Sequence, residues 1–228
     1  MSVNTPVGQI QQTSPFKNFK ELSNATSKEQ IIWRYDPILF TNKYTTEYHK
    51  EKLSTMSNEL CDYTDICIFS FVSTIYPWVK KNIPDLIDDY KNKEELLEYI
   101  NSQSNLHYQT CGHGDAYSSL YSNIGISSCT SVDLLEKVFN IKCIEQKGGY
   151  YRKGCGCIQG ANVGQYNSCL HGCKYCYAAR NTYKQTLYDP TSPILLGELT
   201  EDSKIYTCKA PKVFKEKEQK QLSLFDFI

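Results

Sequence analysis

The chain has 228 residues, a length that suits one large domain or two small ones. Its 25 basic and 25 acidic residues give zero formal net charge, which argues against a strongly basic nucleic-acid binder or a polybasic membrane-surface protein. No apolar run approaches the ~20 residues that a membrane-spanning helix needs. The N-terminus has no basic stretch followed by an apolar one, so no secretory signal is predicted. We therefore expect a cytoplasmic protein without a membrane partner, and nucleic acid is not indicated.

Strand and helix patterns alternate through the first part of the chain. The β-branched and aromatic run 31–35 predicts a strand, which Asp36-Pro37 is expected to end. Helical spacing of apolar residues predicts a helix over 46–60. The almost wholly apolar run 66–72 predicts a second strand that is covered on both faces, as parallel strands are.

Three more elements are predicted before the chain becomes irregular near residue 145. A helix is expected to begin at Pro84. Its apolar face would carry Leu86, Tyr90, Leu97 and Ile100. Residues 106–111 predict a short third strand. Thr130 and Asp133 have the spacing of a capping box ahead of another helix.

Repeated strand–helix pairs are typical of right-handed βαβ units, so the sequence predicts an α/β fold. A closed eight-fold barrel takes ~250 residues. This chain has 228 residues, and its last part is the cysteine-rich segment, so it is too short for a closed barrel. The prediction is therefore a partial (β/α) barrel-like or open parallel sheet. We divide the chain into a polar segment (1–29), an α/β region (30–145), and a cysteine-rich iron–sulfur segment with a C-terminal tail (146–228).

Eleven cysteines in a chain without an export signal indicate metal, iron–sulfur or redox chemistry, since disulfides are rare in reducing compartments. Cys169, Cys173 and Cys176 are spaced Cys-x3-Cys-x2-Cys within residues 169–177, which we name the cysteine loop. Three thiolates on a short loop can hold three corners of a [4Fe–4S] cluster and leave one iron open to a small molecule. The alternative is a zinc knuckle, although zinc prefers four ligands.

The cysteine loop resembles the cluster motif of radical S-adenosylmethionine (radical SAM) enzymes, because an aromatic residue, Tyr175, precedes its last cysteine. A wider set of segments is similar to an uncharacterised bacterial domain-of-unknown-function family that carries such a cluster near its C-terminus. These segments span about residues 30–228 and comprise 33–38, 44–49, 155–157, 164–169, 175–178, 192–193, 197–199 and a Leu-Phe-Asp-Phe tail.

The resemblance implies a [4Fe–4S] cluster on the cysteine loop, with S-adenosylmethionine bound at its open iron. It also implies that Tyr175 packs by the adenine and that Gly197 and Glu198 contact the methionine amino group. In such enzymes, electron transfer cleaves the sulfonium and gives a 5′-deoxyadenosyl radical. The chain would then be a radical SAM-like enzyme, and its residues assign no substrate.

Members of this family usually begin with a further segment that carries a Ser-Arg-Arg-Thr-Asp-Ile-Pro motif, for which this chain has no equivalent. They also often have Asp within the segment that reads Asn162-Val163-Gly164 here. We therefore expect a chain that lacks N-terminal strands, pairs with a polypeptide carrying them or self-associates, and cleaves the cofactor weakly or not at all alone. Two other hypotheses are a non-catalytic zinc- or cluster-stabilised interaction module and a degenerate remnant of a split gene.

A second metal site is predicted from four other cysteines. Cys155 and Cys157 are separated by one glycine and can share a metal ion. Cys111 and Cys129 lie at loop-like positions where the family resemblance also includes cysteines, which completes a four-cysteine site for zinc or a second cluster. The alternative is ordinary buried residues or a redox pair. The remaining cysteines are predicted to be packing residues: Cys61, Cys67, Cys143 and Cys208.

Some charged and titratable side chains are further candidates. Arg34 and Asp36 point to the same side near a strand end, where functional groups of parallel sheets gather, and a structural ion pair is the alternative. His49 and His113 are candidate acid–base groups or satisfied polar residues. A basic patch beside the cysteine loop would meet an anionic substrate or form a solvated helix face: Lys174, Arg180 and Lys184.

Overall fold

The computed structural model describes residues 15–113, 115–126, 128–143, 155–158, 164, 166, 172–178, 189, 191–192, 194, 197–205 and 214–216. The chain divides into two compact units, which are described separately. The first unit comprises Met1–Val72, Asp85–Cys129 and Arg152–Cys155. The second comprises Ser73–Pro84, Thr130–Tyr151 and Gly156–Ile228.

The helices, in chain order, are α1 (Pro15–Ala25), a short 3-10 helix (Lys28–Gln30), α2 (Thr46–Leu60), α3 (Pro77–Asn82), α4 (Tyr90–Asn101) and α5 (Val132–Phe139). The strands are β1 (Ile32–Ile38), β2 (Ile66–Phe71), β3 (His107–Thr110), β4 (Ile124–Gly125), β5 (Ile141–Cys143) and β6 (Phe214–Glu216). None of the helices in the described residues is both long and apolar enough to cross a bilayer.

The first unit contains a four-stranded parallel sheet in the order β1-β2-β3-β4. Parallel neighbours need a crossover connection, and α2 and α4 supply the first two crossovers. The predicted α/β class with a parallel sheet is confirmed. The helix predicted over 46–60 is present with those bounds, and the strands predicted at 66–72 and 106–111 are present within one residue of each end.

One face of this sheet packs against the helices. Along β2 the side chains alternate, and Cys67, Phe69 and Phe71 point into this core. Its other members come from the remaining strands and from the helices, including Trp33, Leu53, Leu60, Leu96, Leu97, Ile100, Tyr108 and Ile124. Burying each large apolar side chain contributes roughly 1.5–3 kcal/mol, so this face supplies most of the stability of the first unit.

β1 does not end where the sequence predicts. The strand continues through the cis Asp36-Pro37 bond to Ile38, although Pro37 has no backbone N–H to donate. β1 lies at the edge of the sheet, where a missing donor is tolerated, and its register with β2 shifts between Tyr35 and Ile38. The expected stop at Asp36-Pro37 is therefore wrong.

α4 begins at Tyr90 rather than at Pro84. Asp89 is its N-cap, and the Asp89 carboxylate accepts a hydrogen bond of 2.8 Å from the backbone N–H of Asn92. The N-cap residue Asp89, and not Pro84, determines where this helix begins. Tyr90, which was expected on the apolar face, is 65% exposed, whereas Leu97 and Ile100 are buried as predicted.

The second unit contains α3, α5 and the antiparallel pair β5–β6. α5 is capped by Ser131, whose hydroxyl accepts a hydrogen bond of 3.1 Å from the N–H of Leu134. The capping box predicted from Thr130 is thus wrong by one residue, while the helix that follows it is present. α5 ends at Asn140, whose φ of 50° is left-handed, as is common where a helix stops.

Candidate functional site

The described part of the cysteine loop is a tight turn that carries two thiols. Gly172 has a left-handed φ of 64°, which favours glycine, and the chain then turns so that the Cys176 N–H donates to the Cys173 carbonyl at 3.0 Å. Both cysteines are half-buried, and neither is in a disulfide. Cys169, the predicted first ligand, lies outside the described residues. The turn therefore brings two of the three predicted ligands together within reach of solvent.

α3 anchors this turn from the same unit. The indole Nε1–H of Trp78 donates to the Cys176 carbonyl at 3.1 Å, and the Asn82 amide donates to the Lys174 carbonyl at 3.2 Å. Tyr177 stacks on Tyr76, with ring centroids 5.9 Å apart and an interplanar angle of 22°. Side chains thus satisfy loop carbonyls, while the thiols take no part in the anchoring hydrogen bonds.

The three residues predicted to contact S-adenosylmethionine differ in exposure and in backbone conformation. Tyr175 lies inside the turn and is 37% exposed. Gly197 has a left-handed φ of 86°, and a Cβ added there would meet nothing within 4 Å among the described residues. Glu198 is exposed. Their assignment to S-adenosylmethionine stays a prediction.

A second group of polar side chains in the first unit comes from β1, from β2 and from the segments that follow β3 and β4. The Arg34 guanidinium pairs with the Asp36 carboxylate at 2.5 Å, and Ser70 donates to the other oxygen of Asp36. The same guanidinium donates to the Cys129 sulfur at 3.3 Å, and Cys111 lies close enough to raise its pKa. We name these five residues the arginine–thiol cluster. The predicted ion pair between Arg34 and Asp36 is present, and the guanidinium also donates to the Cys129 thiol.

Arg34 is a permanent positive charge in this cluster. Burial lowers its pKa, but the hydrogen bonds to Asp36, Cys111 and Cys129 and the charge of Asp36 outweigh burial and raise the pKa well above its usual value. The two thiols therefore face a cation whose orientation is fixed by a carboxylate, which Ser70 fixes in turn.

The other predicted metal ligands are buried. Cys155 is 9% exposed and belongs to the first unit, and Cys157 is 7% exposed and belongs to the second. Within the described residues, no group of three or more His, Cys, Asp or Glu side chains is arranged to hold a metal ion. The four-cysteine site thus stays a prediction.

Of the four cysteines predicted to be packing residues, the structure describes the side chains of two. Cys67 is fully buried in the core, where burial raises the pKa of its thiol, and Cys61 packs at the edge of that core. Both match the prediction. The side chain of Cys143 and the whole of Cys208 lie outside the described residues.

His49 is a satisfied core residue. Its Nε2–H donates to the Leu39 carbonyl at 2.9 Å, and its Nδ1 accepts from the Tyr35 hydroxyl at 2.7 Å. Because a carbonyl can only accept, these contacts select one neutral tautomer. Burial lowers the pKa of His49, which fits a structural role rather than acid–base work.

The structure describes only some of the remaining candidate residues. His113 packs against Phe71 and Tyr117, with ring centroids 6.4 and 5.0 Å away. Lys174 is exposed on the cysteine loop. The other two members of the predicted basic patch, Arg180 and Lys184, lie outside the described residues.

Three residues that make contacts at these sites are not predicted by any sequence motif: Ser70, Trp78 and Asn82. Ser70 carries a signal, since it is the polar residue in an otherwise apolar run, but its closeness to Asp36 follows from the pairing of β1 with β2. Trp78 and Asn82 carry none beyond Pro77, a typical first residue of a helix. Their partners lie 98 and 92 residues away along the chain.

Comparison with known proteins places these features in one family. The family described as Domain of unknown function (DUF1848) matches residues 4–178, a range that includes both the cysteine loop and the arginine–thiol cluster. Gly197 and Glu198 lie beyond the matched range. No curated protein and no solved structure matches the chain.

Proposed function

The chain belongs to the DUF1848 family, and from that premise we propose that it is an iron–sulfur protein whose cysteine loop holds a [4Fe–4S] cluster open to S-adenosylmethionine. Family membership names no activity, so the proposal rests on the residues of the loop. The observation that carries it is the Cys173–Cys176 turn, which presents two half-buried thiols while α3 holds its backbone.

The donor set fits a cluster with one open iron. The x3 and x2 spacing offers three cysteines, the number that leaves one iron of a cubane without a protein ligand. A closed zinc site would need a fourth ligand. Hydrogen bonds around a cluster tune its properties. In this turn the side chains of Trp78 and Asn82 donate to backbone carbonyls and hold the loop in shape. The cysteine sulfurs are therefore not needed for that structural role.

The activity that we propose is radical SAM-like. When bound, the cluster supplies the electron that cleaves the S-adenosylmethionine sulfonium. The chain supplies the surroundings: Tyr175, a partly exposed residue between Cys173 and Cys176 in the sequence, would pack by the adenine. The exposed carboxylate of Glu198, beside Gly197, would receive the methionine ammonium group.

Anaerobic reconstitution with iron and sulfide tests the cluster. We expect about four irons per chain, as for one cubane, and their loss in Cys176→Ala. Cys61→Ala is the matched control, because Cys61 is also half-buried but lies in the first unit at the end of α2. Stoichiometric zinc with no iron uptake under strict anoxia would instead favour the zinc-stabilised interaction module.

A further inference from the structure

A cavity of about 410 Å³ lies in the first unit, where β3 and β4 meet the segments that precede them. This volume falls within the roughly 300–1,000 Å³ of small-molecule sites. None of the lining residues belongs to the cysteine loop or to the arginine–thiol cluster. The polar residues of the lining are Gln103, Ser104, His107, Gln109, Ser122 and Asn123.

The cavity offers hydrogen bonds without charge. Among the described residues that line it, none is Asp, Glu, Lys or Arg, so a charged ligand would find no ion-pair partner there. Tyr108 also borders the cavity, but it is 1% exposed and its side chain belongs to the core. A planar base therefore finds no exposed tyrosine ring to stack on. The lining suits a neutral ligand whose groups both donate and accept hydrogen bonds, as hydroxyl groups do.

Gln109 is the unusual member of this lining. Alternation along β3 directs Tyr108 into the core and Gln109 to the opposite face of the sheet. The Gln109 Oε1 atom is shielded from solvent, and none of the described residues donates a hydrogen bond to it. Gly125 is its partner on β4, where an added Cβ would lie 3.2 Å from the Gln109 Cγ. The absence of a side chain at Gly125 thus leaves room for Gln109 to lie across β4.

A buried amide oxygen without a donor lowers stability, so its presence in the fold calls for a reason. The terminal torsion of glutamine is broad and roughly two-fold, and its rotation turns Oε1 toward the cavity. Asn123 presents a second acceptor. Its backbone N–H donates to the Asn101 Oδ1 at 3.0 Å, and its Nδ2 donates to the Asn101 carbonyl at 2.7 Å. These bonds fix the Asn123 amide and leave its Oδ1 to accept from a ligand.

We propose that this cavity binds a neutral, polyhydroxylated molecule of monosaccharide size. The amide oxygens of Gln109 and Asn123 accept hydrogen bonds from ligand hydroxyl groups. Ser104, His107 and Ser122 are exposed around the same cavity, and their hydroxyl and imidazole groups can donate or accept. Binding is non-covalent and does not involve the iron–sulfur cluster.

Nuclear magnetic resonance of the histidine rings in the full chain tests the proposal. The chain has four histidines, and the His107 signals are assigned by their loss in His107→Gln. D-glucose, D-galactose and D-ribose are titrated separately, with D-glucose 6-phosphate as the charged probe and cytosine as the planar one. We expect a saturable shift of the His107 signals with at least one neutral sugar. The signals of His49 should not move, because both of its ring nitrogens are bonded inside the core.

Gln109→Leu separates ligand binding from folding. Losing one hydrogen bond to the ligand should weaken sugar binding by up to about tenfold. Removing an unpartnered buried oxygen should leave the denaturant midpoint of unfolding unchanged or raise it. Gln30→Leu is the matched control, since Gln30 is exposed at the end of the short 3-10 helix in the same unit and should leave sugar binding unchanged.

Any of three results would overturn the proposal. The first is the absence of a saturable His107 shift with all three neutral sugars. The second is binding of D-glucose 6-phosphate or cytosine at least as tightly as the best neutral sugar, which would assign a different ligand class. The third is a Gln109→Leu variant that binds sugar as tightly as the natural chain or unfolds at lower denaturant, which would give Gln109 a purely structural role. Iron uptake at the cysteine loop is measured separately, so either site can fail without the other.

Discussion

The two tryptophans of the chain illustrate how differently its two units are held together. Trp33, in the first unit, is 5% exposed inside an apolar core built from parallel strands and helices. Trp78, in the second, is half-buried and holds the cysteine loop through one hydrogen bond to the Cys176 carbonyl. The first unit therefore depends on buried apolar area, whereas the shape of the cysteine loop depends on hydrogen bonds to its carbonyls and on an aromatic stacking contact. Stability and cluster chemistry should be separable by mutation.

The largest effect is expected in the core of the first unit. Phe69 is fully buried on the central strand β2, so Phe69→Ala should lower the free energy of unfolding by about 3–5 kcal/mol, from lost burial and the cavity left behind. Tyr177→Ala, which truncates a 56% exposed ring in the second unit, should change it by about 1 kcal/mol or less. Denaturant unfolding measures both, and equal losses would contradict the comparison.

Exchanging each tryptophan for phenylalanine separates stability from chemistry. Trp78→Phe removes the donor to Cys176, so the reconstituted iron content should fall while the free energy of unfolding drops by only about 1 kcal/mol. Trp33→Phe trims the core, so unfolding should become easier while the iron content stays unchanged. Iron analysis and unfolding curves on the same samples give the comparison. Loss of iron in Trp33→Phe alone would reverse the assignment.

The sequence predicts the first unit better than the second for a physical reason. The helix at 46–60 and the strand at 66–71 arise from local periodicity and β-branched content, which any short window of sequence contains. The contact between Trp78 and Cys176 joins residues 98 apart, and no local pattern encodes such a pair. The errors at Pro37 and Pro84 have one cause, since the effect of a proline depends on edge position and on neighbouring caps.

Within the candidate sites, the spacing of residues in the sequence predicts the cysteines but not the side chains that contact them. The Cys-x3-Cys-x2-Cys pattern is local and therefore readable, and alternation correctly placed Arg34 beside Asp36. The convergence of Cys111 and Cys129 on Arg34 follows from sheet topology. It requires the order β1-β2-β3-β4, which the sequence alone does not specify.

A smaller effect is expected from pH, through His49 in the first unit. Burial lowers the pKa of His49 in the folded protein, and this outweighs its hydrogen bond to the Leu39 carbonyl. As the pH falls below about 6.5, the unfolded chain takes up a proton at His49 before the folded one does, so folding stability decreases. His49→Gln should reduce the loss of stability between about pH 7.5 and pH 5.5. Unfolding curves at both pH values would contradict this if the variant lost as much as the natural chain.

The smallest effect is expected at the surface pairing of α2 with α4. Lys50 bridges Glu47 at 2.8 Å and Glu95 at 2.6 Å. Because these carboxylates are exposed, Lys50→Met should cost only about 0.2–1 kcal/mol. The difference should shrink as salt screens the charges. Unfolding at low and high ionic strength measures it, and a loss as large as that of Phe69→Ala would show that polar contacts also carry the first unit.

The most direct test of the account is the electron paramagnetic resonance spectrum of the reconstituted, reduced protein with and without S-adenosylmethionine. A cluster held by three cysteines keeps one iron open to a small molecule. We therefore predict a [4Fe–4S]⁺ signal that changes when S-adenosylmethionine is added, both in the natural chain and in Cys61→Ala. We predict no such signal in Cys176→Ala. A cluster signal that S-adenosylmethionine leaves unchanged, or one that persists in Cys176→Ala, would contradict the assignment of an open cluster to the cysteine loop.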